Sequence, residues 1–465
     1  MHRLVESVRS MAGVSLPLSA MMAAAAIAGG LLAARPSNDR REFEMWVFAR
    51  EHAMAYESLL EQYKVNHGIE VGLTRISIDA LLQRVRSGLF SGTPMADLFE
   101  IEYVSAGQLF RGPADKVGLV PLDDRLRDAN LLDQINGPSL AAWQHSGVQL
   151  GLPHDVHPVG LIVRHDLISH YGLSLDNVET WTDFFQALRP LLDIDQDEDG
   201  RPDHYLLSYW PSHAGYTELL LRQAGGRLFD HRGLPVLHEG PNPRVLATAV
   251  SWCIGPNRVA TEIPDFSDTG NRRKARGDAI AYLAPDWMTG VWKNDVPDAA
   301  GRVRLIALPA WEPGGRRTSV YGGTMLAIPT SSERIDQAWE LAVELYFSPE
   351  PAKVTWEQAG VISPVRSLWS SSFYHQPDEY YGGQPIGSLL IKLAPDVPHR
   401  ANSPYLRAAQ SELQAVGMRL LEHAEQTQTY DPALLEPIAR EYLERSSEKL
   451  ARVIERSPFI GGRQR

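Results

Sequence analysis

Residues 42–76 read EFEMWVFAREHAMAYESLLEQYKVNHGIEVGLTRI. In the first seven, large apolar residues recur at every second position through Phe43, Met45 and Val47, the period of a half-buried strand. AYESLLEQYKVNHG then carries its apolar residues at helical spacing and stops at Gly68, a good closing residue for a helix. IEVGLTRI is a second strand. Beyond it, IDALLQRVRSGLFSG reads as a second helix and ADLFEIE (Ala96–Glu102) as a third strand. Strand, helix, strand, helix, strand predicts a parallel sheet covered by helices, an α/β fold. Ligands of such sheets bind beyond the carboxyl ends of the strands. Arg50, Glu51 and His52 follow the first strand; Glu102 and Tyr103 end the third.

A second α/β unit begins after LGLPHDVHP. VGLIVRHDLI reads as a buried strand, TWTDFFQALRPLL as an amphipathic helix capped by Thr180, and YLLSYW as the strand after it. AIAYLA, VRLIALP and TMLAIP are further strands, and from Ile335 the pattern turns helical. A chain of 465 residues calls for more than one folding unit.

With 44% apolar and 22% charged residues the chain is globular. Its net charge of −12 argues against a nucleic-acid partner, which needs a basic face. Cys253 is the only cysteine, so an internal disulfide and a multi-cysteine zinc site are both excluded. Arg3 and Arg9 precede a stretch with no charge between Ser10 and Arg35, rich in Ala, Leu, Met and Gly. That is the layout of a secretory signal, and it is also just long enough to span a bilayer. Residues 1–41 are therefore expected to be a signal peptide or an N-terminal membrane anchor, plus a linker. Either way the protein is expected outside the cytoplasm, in the periplasm or tethered by an uncleaved helix.

GTPMADLFEI, VGLVPLDDRL, GLPHDVHPVGLIVRHDLISHYGL with ETWTDFF, ARGDAIAYLAPDW, and DVPDAAGRVRLIALPAWEPGGRRTSVYGGTMLAIPTSS follow one another along the chain, and AWELAVELYFSPEPAKVTWEQAGVISPVRS comes after them. That ordered set resembles the extracellular solute-binding proteins of ABC sugar importers, the maltose-binding type. The resemblance spans roughly residues 42–450. It implies a two-lobed fold of the type II periplasmic-binding-protein kind, with the chain crossing between lobes more than once. Lobe 1 is expected at 42–154 and 311–362, and lobe 2 at 155–310 and 363–465. The implied function is to bind a sugar or oligosaccharide in the interlobe cleft and hand it to ABC permease subunits. A secreted carbohydrate-active enzyme and a bilobed sensory protein are the alternatives.

A sugar offers hydroxyl edges to hydrogen bonds and C–H faces to aromatic rings, so its cleft needs carboxylates and aromatics together. Trp287 sits where the family places its stacking ring. Trp210, ending a strand, suits cleft and core equally. Tyr321, Gly322, Gly323 and Thr324 put a glycine pair before a strand, where a ligand can approach the main chain. Asp155 and His157 fall on the first crossing, and Glu51, Glu102 and Tyr103 at strand ends. No catalytic set emerges: the nucleophile elbow, the zinc-protease helix motif and the phosphate loop are all missing. The chain is therefore expected not to be an enzyme.

DIDQDEDGRPDH (Asp193–His204) packs six carboxylates into twelve residues. Asp195, Asp197, Asp199 and Gly200 take the first, third, fifth and sixth positions of a calcium loop, with the Arg201 carbonyl seventh and Asp203 ninth. Leu206 at the twelfth position excludes a full EF-hand. A solvated acidic turn is the plain alternative. Uncompensated repulsion among the carboxylates favours a structural calcium ion.

Overall fold

The computed structural model describes residues 43–196 and 198–456. The expected leader and Asp197 lie outside the described residues. The opening stretch folds as β1 (Phe43–Val47), α1 (Arg50–His67) and β2 (Val71–Arg75), then α2 (Ile78–Ser91) and β3 (Leu98–Glu102). Helix α1 buries Ala55, Tyr56, Leu59 and Tyr63 on one face and ends at Gly68, whose φ of 68° closes the last turn onto Lys64 O. Only a residue without Cβ takes that conformation at little cost.

β1 pairs parallel with β2 and β3, as the alternation predicts. After α3 (Tyr103–Gly107) and a short hairpin of β4 (Gln144–His145) and β5 (Val148–Gln149), β6 (Leu152–Pro153) ends the first pass. The chain then builds a second sheet from β7 (Val159–Arg164), β8 (Tyr205–Ser208), β9 (Ala260–Thr261), β10 (Ala279–Pro285) and β11 (Val303–Ala307). It returns to the first sheet with β12 (Thr324–Ala327). The orders are β2-β1-β3-β12-β6 and β11-β7-β10-β8-β9. Neither sheet is wholly parallel. β12 enters the first sheet from the cleft end and so runs antiparallel to β3 and β6, and β10 runs antiparallel to β7 but parallel to β8.

Every residue of β10 is buried, which explains its unbroken apolar run: helices cover both faces of a central strand. Thr180 starts α4 (Trp181–Leu188) with a reciprocal capping box to Asp183. The second lobe also carries α5 (Ala214–Gln223), α6 (Asn242–Ser251), α7 (Asp268–Arg276) and α8 (Asp286–Asp295). Helices α9 (Ile335–Phe347) and α10 (Pro349–Ala359) return to the first lobe, where α10 packs on α1. The long α11 (Leu406–Thr427) and α12 (Pro432–Glu455) pack on α5 and α6 of the second.

The two lobes are joined by crossings side by side. His154 N–H donates to Thr324 O at 3.0 Å, and Val156 N–H to Ile362 O at 3.2 Å. The return crossing falls later than the sequence-based boundary at 311. Trp311 stacks on Trp252 at 5.5 Å, Ser319 Oγ donates to Leu219 O at 2.7 Å, and Thr318 Oγ1 accepts from Val159 N–H at 2.9 Å. These contacts keep 311–319 with the second sheet until Tyr103 N–H meets Gly323 O at 2.8 Å.

Candidate functional site

Between the lobes lies a cleft of about 870 Å³. Its first wall is made by the residues just past β1 and by the ends of β3, where the strand order predicts a ligand. Glu51, Glu102, Tyr103, Asp155, His157, Trp287 and the run Tyr321–Thr324 all line it. Trp210 does not. Its ring lies under the guanidinium of Arg258 at 5.1 Å, a cation that also covers Tyr205 at 4.6 Å. That cation occupies one face of the ring, and the ring stands outside the residues that line the cleft.

Two of the strand-end carboxylates are already engaged. Glu102 caps α3, accepting from Val104 N–H at 3.1 Å, Ser105 N–H at 2.9 Å and Ser105 Oγ at 2.7 Å. Glu51 accepts from Arg50 Nη2 at 2.7 Å, and the same nitrogen reaches Asp295 Oδ1 on the opposite lobe at 2.7 Å. Asp155, buried at the crossing, pairs with both His157 Nε2 and His154 Nδ1. His157 Nδ1 lies 3.4 Å from Asp286 Oδ1, at the start of α8. Burial alone pulls the His157 imidazole down, but the charges of Asp155 and Asp286 outweigh it and push it up to about 9. Burial likewise opposes ionisation of Asp155, yet the neighbouring His157 and His154 hold its carboxyl well below the usual range.

The second wall is aromatic. Trp287, half-buried, runs parallel to Phe266 with ring centres 6.2 Å apart and planes 12° off, and Tyr321 tilts against it at 5.9 Å. Trp287 Nε1–H donates to Tyr321 O at 3.2 Å. The glycine pair has an unexpected use. A Cβ on Gly322 would stand 2.5 Å from Trp287 Nε1, and one on Gly323 2.5 Å from Arg400 Nη2. Both have positive φ, 89° and 116°. These glycines therefore admit two side chains of the cleft to the main chain, whereas the sequence suggested an approaching ligand.

Arg400 and Phe266 escaped the sequence reading. Arg400 stands in the Pro- and Asn-containing segment before α11, where no period or motif marks it. Phe266 did leave a signal: a large aromatic residue in a polar turn just before Ser267, the cap of α7. It is 65% exposed and holds φ at 54°, a strained conformation for an aromatic residue and one that clusters at functional sites.

Beneath the cleft, His52 Nδ1 meets Glu100 Oε2 at 2.8 Å, while Tyr56 and Tyr346 hydroxyls donate to Glu100 Oε1 at 2.6 and 2.5 Å. His52, Glu100 and His154 bring possible metal-ligand atoms within 4.8 Å of one another. Yet the two imidazoles pack against each other, tilted by 38° with ring centres 4.2 Å apart, and Glu100 already accepts three hydrogen bonds. That is a satisfied buried network.

The acidic loop lies just before β8. Asp195 accepts from Asp199 N–H at 3.1 Å and Gly200 N–H at 2.9 Å, Asp199 from Arg201 N–H at 2.8 Å, and Asp203 from Gln196 N–H at 3.0 Å. Its carboxylates shape the turn, with Gly200 at φ 80°. Among the described residues no helix is long and apolar enough to cross a membrane.

The family description "bacterial extracellular solute-binding protein" matches residues 51–353. An arabinooligosaccharide-binding protein of Bacillus subtilis (strain 168) is 22% identical over 394 residues, 83% of this chain and 88% of that protein. A lactose-binding protein of Rhizobium radiobacter is 23% identical over 280 residues, 58% of this chain and 64% of that one. Among solved structures, the sugar-binding protein MalE from Xanthomonas citri superposes with a TM-score of 0.69 at 17% identity, covering 90% of this chain and 100% of that one. The ABC transporter associated binding protein from B. animalis subsp. lactis Bl-04, in complex with β-1,6-galactobiose, gives 0.67 at 17% identity, covering 88% and 98%. These likenesses carry the two-lobed fold, and a match over more than half its length places the chain in the family: it belongs to the bacterial extracellular solute-binding proteins.

Proposed function

We propose that this protein captures a neutral oligosaccharide in the interlobe cleft and delivers it to an ABC-type permease. One observation carries the reading: the cleft sets an aromatic wall of Phe266, Trp287 and Tyr321 against a rim in which six carboxylates outnumber three guanidinium groups. C–H faces stack on such rings, and carboxylates that already accept from protein groups keep lone pairs for sugar hydroxyls, whereas an acidic lining disfavours an anionic ligand. A cleft of about 870 Å³ has room for more than one sugar unit. The names of the relatives, arabinooligosaccharide- and lactose-binding, point to the same ligand class.

The hydrolase alternative is weaker. Glu102 caps a helix, Glu51 is tied to Arg50, and Asp155 is paired with two histidines. A glycosidase needs a free carboxyl pair flanking the scissile bond. We further propose that the N-terminal segment directs export to the periplasm or retains the protein at the membrane. We also propose that Asp195, Asp197, Asp199, Asp203 and the Arg201 carbonyl hold a structural calcium ion.

Calorimetry against neutral oligosaccharides, with product analysis of the same mixtures, tests the function. Micromolar or tighter binding with intact sugar is expected. Turnover would move the protein to the enzyme class, and stimulation of a membrane kinase in place of uptake would make it a sensor.

A further inference from the structure

Arg400 is 7% exposed and lines the cleft. Its guanidinium lies over the ring of Tyr103, 3.8 Å from the ring centre, and Nη2 donates to Gly322 O. Among the described residues no carboxylate forms an ion pair with it. Two acidic groups are near, but each is taken. Glu218 accepts from Arg222 Nε at 2.6 Å and from Gln410 Nε2 at 2.8 Å, and Asp155 is held by His154 and His157.

A guanidinium carries five N–H donors, and leaving them unpaired out of water is costly. Among the described residues one nitrogen of Arg400 finds an acceptor, yet none of its atoms is buried from solvent without one. The spare donors are therefore not sealed in the interior, and Arg400 borders the cleft. Tyr103 backs the guanidinium, and Tyr103 is itself pinned by donating its hydroxyl to Ala401 O at 2.7 Å.

We infer that Arg400 is a specificity-determining residue that donates two N–H groups to neighbouring oxygens of one sugar unit. The inference rests on the oligosaccharide reading above. The nearby charges balance, with Arg400, Arg222 and protonated His157 facing Asp155, Glu218 and Asp286, so the ligand needs no charge of its own. A pair of adjacent hydroxyl or ring oxygens matches the planar fork, as a single ammonium would not. The glycine pair seats Trp287 on Gly322 and Arg400 on Gly323, so the stacking ring and the hydroxyl-reading cation share one subsite.

The experiment uses lactose and an arabinotriose as probes, then single-deoxy analogues of whichever binds tighter. For Arg400→Lys we expect a melting temperature close to wild type and affinity reduced about 10-fold or more. Wild type should lose a similar factor when one of two adjacent hydroxyls is removed, and Arg400→Lys should be indifferent to that removal. Equal affinity of the two proteins, or equal sensitivity to every deoxy analogue, overturns the role of Arg400 while leaving sugar binding intact. Wild type that binds neither probe, nor any member of a wider neutral-sugar panel, overturns the functional reading and this inference with it. If Arg400→Lys does not fold, the Nε–H resonance of Arg400 in wild type decides. Protection from exchange on adding the sugar supports the contact, and unchanged exchange refutes it.

Discussion

His157 Nδ1 and Asp286 Oδ1 lie 3.4 Å apart, joining the first crossing to the start of the helix that carries Trp287. With Asp155 on its other nitrogen, the imidazole is pushed from an ordinary 6.5 up to about 9. A raised folded value means that the contribution to stability is complete below pH 6.5 and disappears as pH rises through about 9. Asp155 acts the other way. Its depressed value gives stability that is present above its ordinary 3.8 and lost as pH falls through the folded value. Melting temperature should therefore decline between pH 7 and 9.5, and His157→Gln should lower it at pH 6 while flattening that alkaline limb. An alkaline limb unchanged in the variant would remove His157 from the explanation.

The aromatic wall gives a second expectation. Trp287→Ala should weaken sugar binding by about 1–3 kcal/mol through the lost stacking surface. Phe266 separates ligand effects from stability effects more cleanly. Asn tolerates positive φ far better than an aromatic residue, so Phe266→Asn should hold or raise the melting temperature. It should also weaken binding by about 0.5–1.5 kcal/mol. Unaltered affinity would place Phe266 outside the ligand's reach.

Closure is open to direct measurement. A ligand held by both lobes stabilises the arrangement it bridges by its differential affinity. Small-angle scattering should show a smaller radius of gyration at saturating oligosaccharide. A curve that does not change under saturation would count against ligand held between the lobes.

The first lobe was legible because its information is local: the period switches from two to 3.6 and back, and Gly68 marks where its first helix ends, as Thr180 marks a helix start in the second lobe. The wall residues at the ends of β1 and β3 follow from that order alone. Arg400 was not legible. It is brought to the cleft by packing between residues nearly three hundred positions apart, Tyr103 and Arg400, and no local pattern encodes such a meeting. The role of Gly322 and Gly323 was half legible. A glycine pair before a strand announces a close approach, but whether ligand or side chain approaches is decided by tertiary structure. Trp210 shows the opposite failure, since a tryptophan at a strand end looks the same in sequence whether it faces a sugar or an arginine.

The acidic loop carries the last expectation. The side chains of Asp195 and Asp203 fold back on the loop's own N–H groups, Asp195 on Asp199 and Gly200, Asp203 on Gln196. Such bonds order the turn but bring no full positive charge of their own, and a bound cation would relieve the repulsion between neighbouring carboxylates. The proposed donors, four carboxylates and the Arg201 carbonyl, fall short of the six to eight oxygens that calcium takes, and water would complete the shell. An ion that binds the folded loop better than the open chain stabilises the protein by linkage. Chelator should therefore lower the melting temperature. Calcium should restore it better than magnesium, whose strict octahedral demand suits a loop of mixed carboxylate and carbonyl donors poorly. Asp197→Asn/Asp199→Asn should lose the response to both reagents and keep most of its sugar affinity, because the described loop carboxylates Asp195, Asp199 and Asp203 are not among the residues that line the cleft. A melting curve indifferent to chelator and to calcium would leave these carboxylates a solvated turn with no ion.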